Sequence, residues 1–325
     1  MLELFLATLN QMAVLFALII IGYLLVKFNC VSQDSAKTLS KLENIVFVPA
    51  LILGTFMQNF TVDTLSTAWK FLLMSLILAV AGMPIAFFFG KRFMQGESAK
   101  KLATYGLCFS NFGFMGNAVV NALFPEMFME YVIFTIPFWT CAYVWGLPTL
   151  LIPKSGGEKK TFFSKIKPLI NPMFICVILG ALIGVLGIKM PTFVTSVVTS
   201  CGNCMSPLAM ILTGVMVAKI NLLELVKKWR LYLLSIVRLV LYPLLFILIF
   251  AFIPQNSFIT PNFLLSGICV MAMPVGLTAV FAPAPYGVDT QPAAELALVS
   301  HVLSILTIPL IMLLFSAVFP GLIVF

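Results

Sequence analysis

Long apolar runs constrain this chain more than any other feature of its sequence. An α-helix needs about 20 residues to cross the hydrocarbon core of a bilayer, and runs of that length recur along most of the 325 residues. They lie at 4–26, 38–58, 69–89, 101–124, 128–152, 168–188, 192–217, 229–253, 261–284 and 291–318. With 62% hydrophobic and 9% charged residues, the chain is more apolar than a soluble core can accommodate. The sequence therefore predicts an all-α integral membrane protein with ten transmembrane helices.

The second half of the chain repeats landmarks of the first half about 158 to 160 residues later. The recurring pairs are Trp69 with Trp229, Pro84 with Pro243, and Pro49 with Pro207. Two five-helix repeats, 1–152 and 168–325, are thus predicted, joined by a Lys-rich linker at 153–167. Because five is odd, the second repeat must be inverted in the membrane. Inverted repeats are typical of secondary transporters.

The distribution of basic residues predicts the orientation. Lysines and arginines cluster after predicted helices 1, 3, 5 and 7, whereas the loops after helices 2, 4, 6 and 8 contain only Lys70 and Lys189. Because basic loops are retained in the cytoplasm, both termini should lie outside and the linker inside. The net charge of +8 then reflects topology and contact with anionic lipid rather than nucleic-acid binding. Short loops favour a bacterial cytoplasmic membrane.

Motifs for catalysis or cofactor binding are absent from the sequence. A single histidine excludes a H-E-x-x-H metal pair, and there is no G-x-S-x-G elbow or phosphate-binding Gly-Lys loop. Five of the seven cysteines lie well inside apolar runs, which argues against a disulfide framework. We therefore expect no enzymatic activity, no cofactor and no metal.

Two predicted helices carry residues that interrupt helical structure. These residues are Asn111, Gly113, Gly116 and Asn117 in helix 4, and Pro274 and Gly276 in helix 9. Because interrupted helices persist in a membrane only when buried or lining a cavity, and both are the fourth helix of a repeat, the breaks should cross near the midplane. Half-helices starting there would present N–H groups suited to an anion. The alternative is that these residues serve close helix packing and that Pro274 only kinks helix 9.

Four ionisable residues in the second repeat are further candidates. His301 lies near the middle of helix 10. It could relay a proton or become a cation beside a carboxylate substrate. The alternative is a neutral histidine that is hydrogen-bonded to a neighbouring helix. Arg238 lies deep in helix 8, where it could attract an anion, extend towards headgroups, or pair with Glu295, the role we favour. Glu295 and Asp289 lie near the start of helix 10, where carboxylates suit a helix N-terminus; coupling-ion binding is the alternative.

Four segments in this order resemble the auxin efflux carrier family, which includes plant auxin exporters and bacterial malate or malonate permease-like proteins. They are the helix 2 stretch with PAL at 49–51, SNFGFMG at 110–116, PLAMILTG at 207–214, and the region from Pro274 through YGVD at 286–289 to Pro309. The resemblance implies ten helices with helices 4 and 9 discontinuous and crossed, as in bile acid transporters and sodium/proton antiporters. It also implies a dimerising scaffold of helices 1, 2, 6 and 7 and a moving transport unit formed by the others.

Within the resemblance, Asn111 and the Pro274 region match the positions that hold a carboxylate-bearing substrate. The chain departs from the family at Ala118, where many members have proline, and at His301, where a small hydroxyl residue is usual. We thus expect an elevator-type secondary transporter of small organic anions, mono- or dicarboxylates, with proton coupling favoured over sodium coupling. The alternative is an anion channel or a membrane-embedded sensor with the same fold.

Overall fold

The computed structural model describes residues 2–32, 35–152, 172–218, 220, 222–283 and 286–322. Within these residues the chain is helical, and its β-type pairing is one isolated bridge. The all-α prediction is therefore confirmed for the described part of the chain. The predicted linker at 153–167 and the first residues of predicted helix 6 lie outside the described residues.

We label the helices α1 to α10 in chain order and count each broken helix once. They are α1 Leu2–Lys27, α2 Ser35–Asn59, α3 Val62–Phe93, α4a Glu97–Cys108, α4b Phe112–Leu123, α5 Pro125–Leu151, α6 Pro172–Val185, α7 Thr192–Val217, α8 Trp229–Ala251, α9a Pro261–Ala272, α9b Thr278–Phe281 and α10 Gln291–Val318. Among the described residues, seven helices are long and apolar enough to cross a membrane: α1, α2, α3, α5, α7, α8 and α10. The predicted integral membrane protein is thus supported, whereas ten spans remain a prediction.

Wide π-helical turns interrupt three of the long helices beside prolines. They comprise Glu43–Phe47 in α2, Cys141–Leu151 in α5 and Val237–Leu241 in α8. Proline has no N–H to donate to the carbonyl four residues earlier, so the hydrogen-bond ladder must change near Pro49, Pro148 and Pro243. Such turns are frequent at functional sites. Two of them contain a buried ionisable residue, Glu43 in α2 and Arg238 in α8.

Glycines bring two helix pairs into backbone contact. A Cβ on Gly22 of α1 would clash with the Ile211 carbonyl of α7, and one on Gly214 of α7 would clash with α1. Gly180 and Gly184 of α6 face the backbone of α2 in the same way. Close approach of small residues is a main source of helix association in membranes. The pairs α1–α7 and α6–α2 therefore form a tightly packed group.

We predict that Gly22→Ala lowers the thermal unfolding midpoint of the detergent-purified protein. The added methyl meets rigid backbone of α7, and overpacking of this kind costs about 1–3 kcal/mol. Gly54→Ala is the control, because its methyl would meet the Val198 side chain, 3.2 Å away, which can shift. Equal destabilisation by the two substitutions would contradict the close α1–α7 crossing.

Candidate functional site

The breaks in α4 and α9 meet and satisfy each other's backbone. Ser110 and Val275 form an isolated antiparallel bridge. The Asn111 N–H donates to the Pro274 carbonyl at 2.7 Å, and the Gly276 N–H donates to the Phe109 carbonyl at 3.1 Å. This junction, residues 109–111 with 273–277, is called the crossover below. The structure thus brings together the interruptions singled out in the two helices.

Gly276 is required by the closeness of the two chains. A Cβ at this position would lie 2.6 Å from the Phe109 carbonyl oxygen and 3.0 Å from that of Ser110. Both atoms are backbone and belong to the paired segment, so they cannot move without disturbing the cross-chain hydrogen bonds. Only glycine therefore fits here without displacement of the crossover.

Asn111 and His301 form a buried polar pair that joins the crossover to α10. The His301 Nδ1 atom lies 2.7 Å from the Ala297 carbonyl oxygen, and Nε2 lies 2.9 Å from the Asn111 amide nitrogen. Because a carbonyl can only accept, Nδ1 carries the proton, and Nε2 accepts from the amide. Ser300 adds a second link, since its hydroxyl accepts the Val275 N–H at 3.2 Å. The histidine is therefore neutral in this arrangement, with both ring nitrogens satisfied.

Arg238 lies against the crossover with its guanidinium bonded to backbone. Its Nη2 donates to the Val270 carbonyl at 2.8 Å and its Nε to the Met273 carbonyl at 3.1 Å, with Nη1 3.5 Å from the Leu107 carbonyl. The side chain is 2% exposed and stacks over Tyr242, 4.8 Å from the ring centroid. These carbonyls lie at the ends of α4a and α9a, where the helix dipole is negative. Arg238 thus caps both half-helices.

The expected Arg238–Glu295 pair does not form, because Glu295 has a different partner. Lys228 contacts both Glu295 carboxylate oxygens at 2.7 and 2.8 Å, and the Gln291 side chain donates to one of them at 3.0 Å. Asp289 accepts the Gln291 N–H at 3.0 Å and so caps the start of α10. Glu295 and Asp289 therefore stabilise the end of α10 rather than the crossover. Sequence spacing did not reveal that Lys228 lies closer to Glu295 than Arg238 does.

The remaining candidates in α4b are tightly packed. A Cβ on Gly113 would lie 2.5 Å from the Trp139 ring, and one on Gly116 would clash with the Tyr131 hydroxyl. That hydroxyl donates to the Phe112 carbonyl at 2.9 Å. Asn117 is buried at the centre of this helix. In this structure, the two glycines serve the close packing of α4b on α5, which is the alternative that the sequence left open for them.

A small cavity of about 20 Å³ lies beside the crossover. Its lining includes Tyr105, Phe109, Ser110, Asn111, Phe112, Gly113, Phe114, Trp139, Ala142, Tyr143, Gly276 and Thr278. This volume suffices for about one water molecule, so the cavity holds no more than a small polar group.

The cavity combines aromatic walls with a few polar groups. The Tyr105 hydroxyl is fully buried and has no well-formed hydrogen bond, although the Thr278 hydroxyl is nearby. At the start of α4b, the Phe112 and Gly113 N–H groups precede the first intrahelical partners. Sequence reasoning missed Tyr105, Trp139 and Thr278 as lining residues. The sequence contained a partial signal for these residues, because Trp139 and Tyr143 are aromatic and lie one helical turn apart in predicted helix 5.

The described residues contain no cluster of three His, Cys, Asp or Glu side chains that could hold a metal ion.

A comparison with protein-family models matches residues 7–312 to a family described as membrane transport protein. No curated protein shows a significant match to the chain.

We predict that histidine-labelled protein gives one imidazole NMR signal set, from the neutral ring protonated at Nδ1. The assignment is direct because His301 is the sole histidine in the sequence. Asn111→Asp should convert the ring to an imidazolium, because the new carboxylate would accept from Nε2 and favour its protonation. Asn117→Asp is the control and should leave the tautomer unchanged. A neutral ring protonated at Nε2 in the unmodified protein would contradict the network.

Proposed function

This chain belongs to the membrane transport protein family, as its resemblance to the auxin efflux carriers led us to expect, and we propose that it is a secondary transporter of small organic anions. Mono- and dicarboxylates are the proposed substrates, bound at the crossover of α4 and α9. The single observation that carries this proposal is the positive charge of Arg238, which is buried beside the crossover and has no carboxylate partner among the described residues.

The electrostatics of the crossover favour an anion. Burying a cation is costly unless it is compensated, and the carbonyls of Val270 and Met273 compensate Arg238 with dipoles rather than with a full charge. A net positive charge therefore remains in a medium of low dielectric constant, where its field is weakly screened. The start of α4b adds N–H groups at the cavity wall. A carboxylate entering the cavity would complete this charge balance.

The same arrangement favours proton coupling or uniport over sodium coupling. Carbonyl oxygens at the ends of broken helices are the groups that hold a sodium ion in transporters with discontinuous helices. Here the Arg238 guanidinium already occupies the carbonyls of Val270 and Met273. A second cation at these atoms would face direct electrostatic repulsion.

A second cavity supports relative movement of two helix groups. It measures about 190 Å³ and lies between α2 and α7 on one side and α4b and α5 on the other. Its polar lining comprises Thr55, Gln58, Asn59, Asn121, Thr199 and Asn203. We propose it as the vestibule through which substrate reaches the crossover when the α3–α5 and α8–α10 unit moves against the α1, α2, α6 and α7 scaffold. The small volume of about 20 Å³ at the crossover, too narrow for a continuous pore, favours such alternating access over a channel.

Inverted repeats are supported by contacts between equivalent positions. When residues 109–111 are matched with 274–276, the two crossover hydrogen bonds, Asn111 to Pro274 and Gly276 to Phe109, exchange with each other. Tyr242 also bonds to the Gly82 carbonyl, 160 residues earlier. Residues related by a two-fold axis can touch each other only close to that axis. The same two-fold relation matches α1 with α6 and α7 with α2, so it also exchanges the α1–α7 contact with the α6–α2 contact. We therefore propose ten spans in repeats 1–152 and 168–325, both termini outside the bacterial cytoplasmic membrane, and a homodimer built through the scaffold.

We predict saturable uptake of malate, malonate or an aromatic carboxylate by proteoliposomes containing the purified protein. Asn111→Ala should reduce this uptake about ten-fold or more, because a hydrogen bond to a charged group contributes about 1.5–3 kcal/mol. Arg238→Gln should also reduce it, because the buried positive charge that favours an anion is lost. Asn262→Ala is the control, since Asn262 bonds to Glu130 at the far end of α9a.

The outcomes separate the alternatives. Binding of a carboxylate by the folded protein without uptake would indicate a sensor. Ionic currents far above the turnover of a carrier would indicate a channel. Uptake that is unaffected by Arg238→Gln would overturn the proposed role of the buried charge.

A further inference from the structure

Glu43 is a buried acid that the proposed transport mechanism does not use. It lies in α2, far along the sequence from the crossover, and its side chain is 0% exposed. Neither carboxylate oxygen has a hydrogen-bond partner. The residue begins the π-helical turn Glu43–Phe47, a local distortion of the kind that often accompanies function. A buried acid without any partner is uncommon in proteins and calls for an explanation.

The surroundings of Glu43 provide no positive charge. The π turn packs against α6 and against α7. The titratable side chains of these described elements are the thiols of Cys176, Cys201 and Cys204. On α2 itself, Lys37 and Lys41 are exposed and make no ion pair within the described residues. An ionised Glu43 would therefore be an unpaired buried charge, which is far more costly than a neutral carboxylic acid.

A cavity near one end of α2 approaches this acid. A cavity of about 410 Å³ is lined by Ser35, Thr38 and Leu39 of α2 together with residues of α1 and α7. Leu39 is one helical turn before Glu43 and on the same helix face. The cavity lies at the Lys37 and Lys41 end of α2, the end predicted to be cytoplasmic. Glu43 is thus separated from this cavity by about one turn of helix.

We propose that Glu43 is a proton-binding site that senses pH from the cytoplasmic side. The acid holds its proton while α2, α6 and α7 are packed as observed. Loss of the proton creates a carboxylate that must recruit water, which loosens this packing and lowers transport activity. His301 differs in kind, because both of its ring nitrogens already have partners.

The position of Glu43 indicates regulation rather than coupling. It lies in the α1, α2, α6 and α7 group, whereas the proposed substrate site lies between α4 and α9. A proton bound there would not travel with the substrate, so pH would set the rate without supplying a driving force. The effect on flux rests on the proposed transport function; proton binding by Glu43 does not.

Thermal unfolding at a series of pH values tests proton binding directly. A folded state that keeps a proton which the unfolded chain releases loses stability as the pH rises. The midpoint of the unmodified protein should therefore fall with increasing pH. Glu43→Gln, a neutral side chain of the same shape, should lose this dependence and exceed the unmodified protein at high pH. Glu126→Gln, at an exposed glutamate, is the control and should follow the unmodified protein.

Infrared spectroscopy keeps the test decisive if Glu43→Gln does not fold. The unmodified protein should show the carbonyl stretch of a protonated carboxylic acid at neutral pH, and a folded Glu43→Gln variant should lack it. Absence of this band from the unmodified protein would overturn the proposal. So would an identical pH dependence of stability in the unmodified protein and Glu43→Gln.

Flux measured with equal pH on both sides of the proteoliposome membrane tests the regulatory step. Uptake by the unmodified protein should fall as the pH rises, and Glu43→Gln should keep the low-pH rate throughout. If stability responds as expected while flux responds equally in both proteins, Glu43 binds a proton but does not regulate transport, and that part of the proposal is wrong. If no substrate is taken up at any pH, the transport function fails, and the unfolding and infrared results still decide proton binding.

Discussion

The structure depends on one constraint: backbone groups at membrane depth must find partners within the protein. Breaking α4 and α9 releases N–H and C=O groups that a continuous helix would satisfy. The two breaks are placed against each other, so the Asn111 N–H reaches the Pro274 carbonyl and the Gly276 N–H reaches the Phe109 carbonyl. Neither break would be stable alone. Their pairing explains why glycine is needed at position 276 and why both helices must cross at this point.

The crossover also places the released backbone carbonyls and the released N–H groups on different faces. The carbonyls that end α4a and α9a face Arg238, which donates to them and cancels their negative potential. The start of α4b faces the small cavity, where donors and aromatic rings meet. One face is therefore occupied by a permanent cation of the protein. In the proposed transport mechanism, the exchangeable anion binds at the other face, that of α4b.

Sequence reasoning predicted elements and breaks better than partners. Apolar length located the seven long helices of the described residues, and Pro274 and Gly276 marked the break in α9, because both properties are local to one segment. The Arg238–Glu295 pair was wrong, because charge pairing depends on how α8 and α10 pack, which spacing within each helix does not encode. Gly113 and Gly116 predicted the break in α4, but in the structure they make room for the side chains of Trp139 and Tyr131 in α5. Glu43 was not predicted as a candidate residue, although a lone acidic residue within an apolar run is itself a sign of function.

Glu43 and Arg238 show how differently a membrane helix can accommodate opposite charges. Both lie in π turns, but a helix C-terminus presents only carbonyls, which accept and can therefore satisfy a cation. Arg238 is served by two such ends because α4a and α9a stop beside it. An anion needs N–H donors, and α2 continues through Glu43 to Asn59 without a break that would free any. Binding a proton is then the way this acid avoids an unpaired charge. Broken helices stabilise Arg238 as a fixed charge. The continuous helix around Glu43 offers no such partners, so Glu43 is a titratable residue.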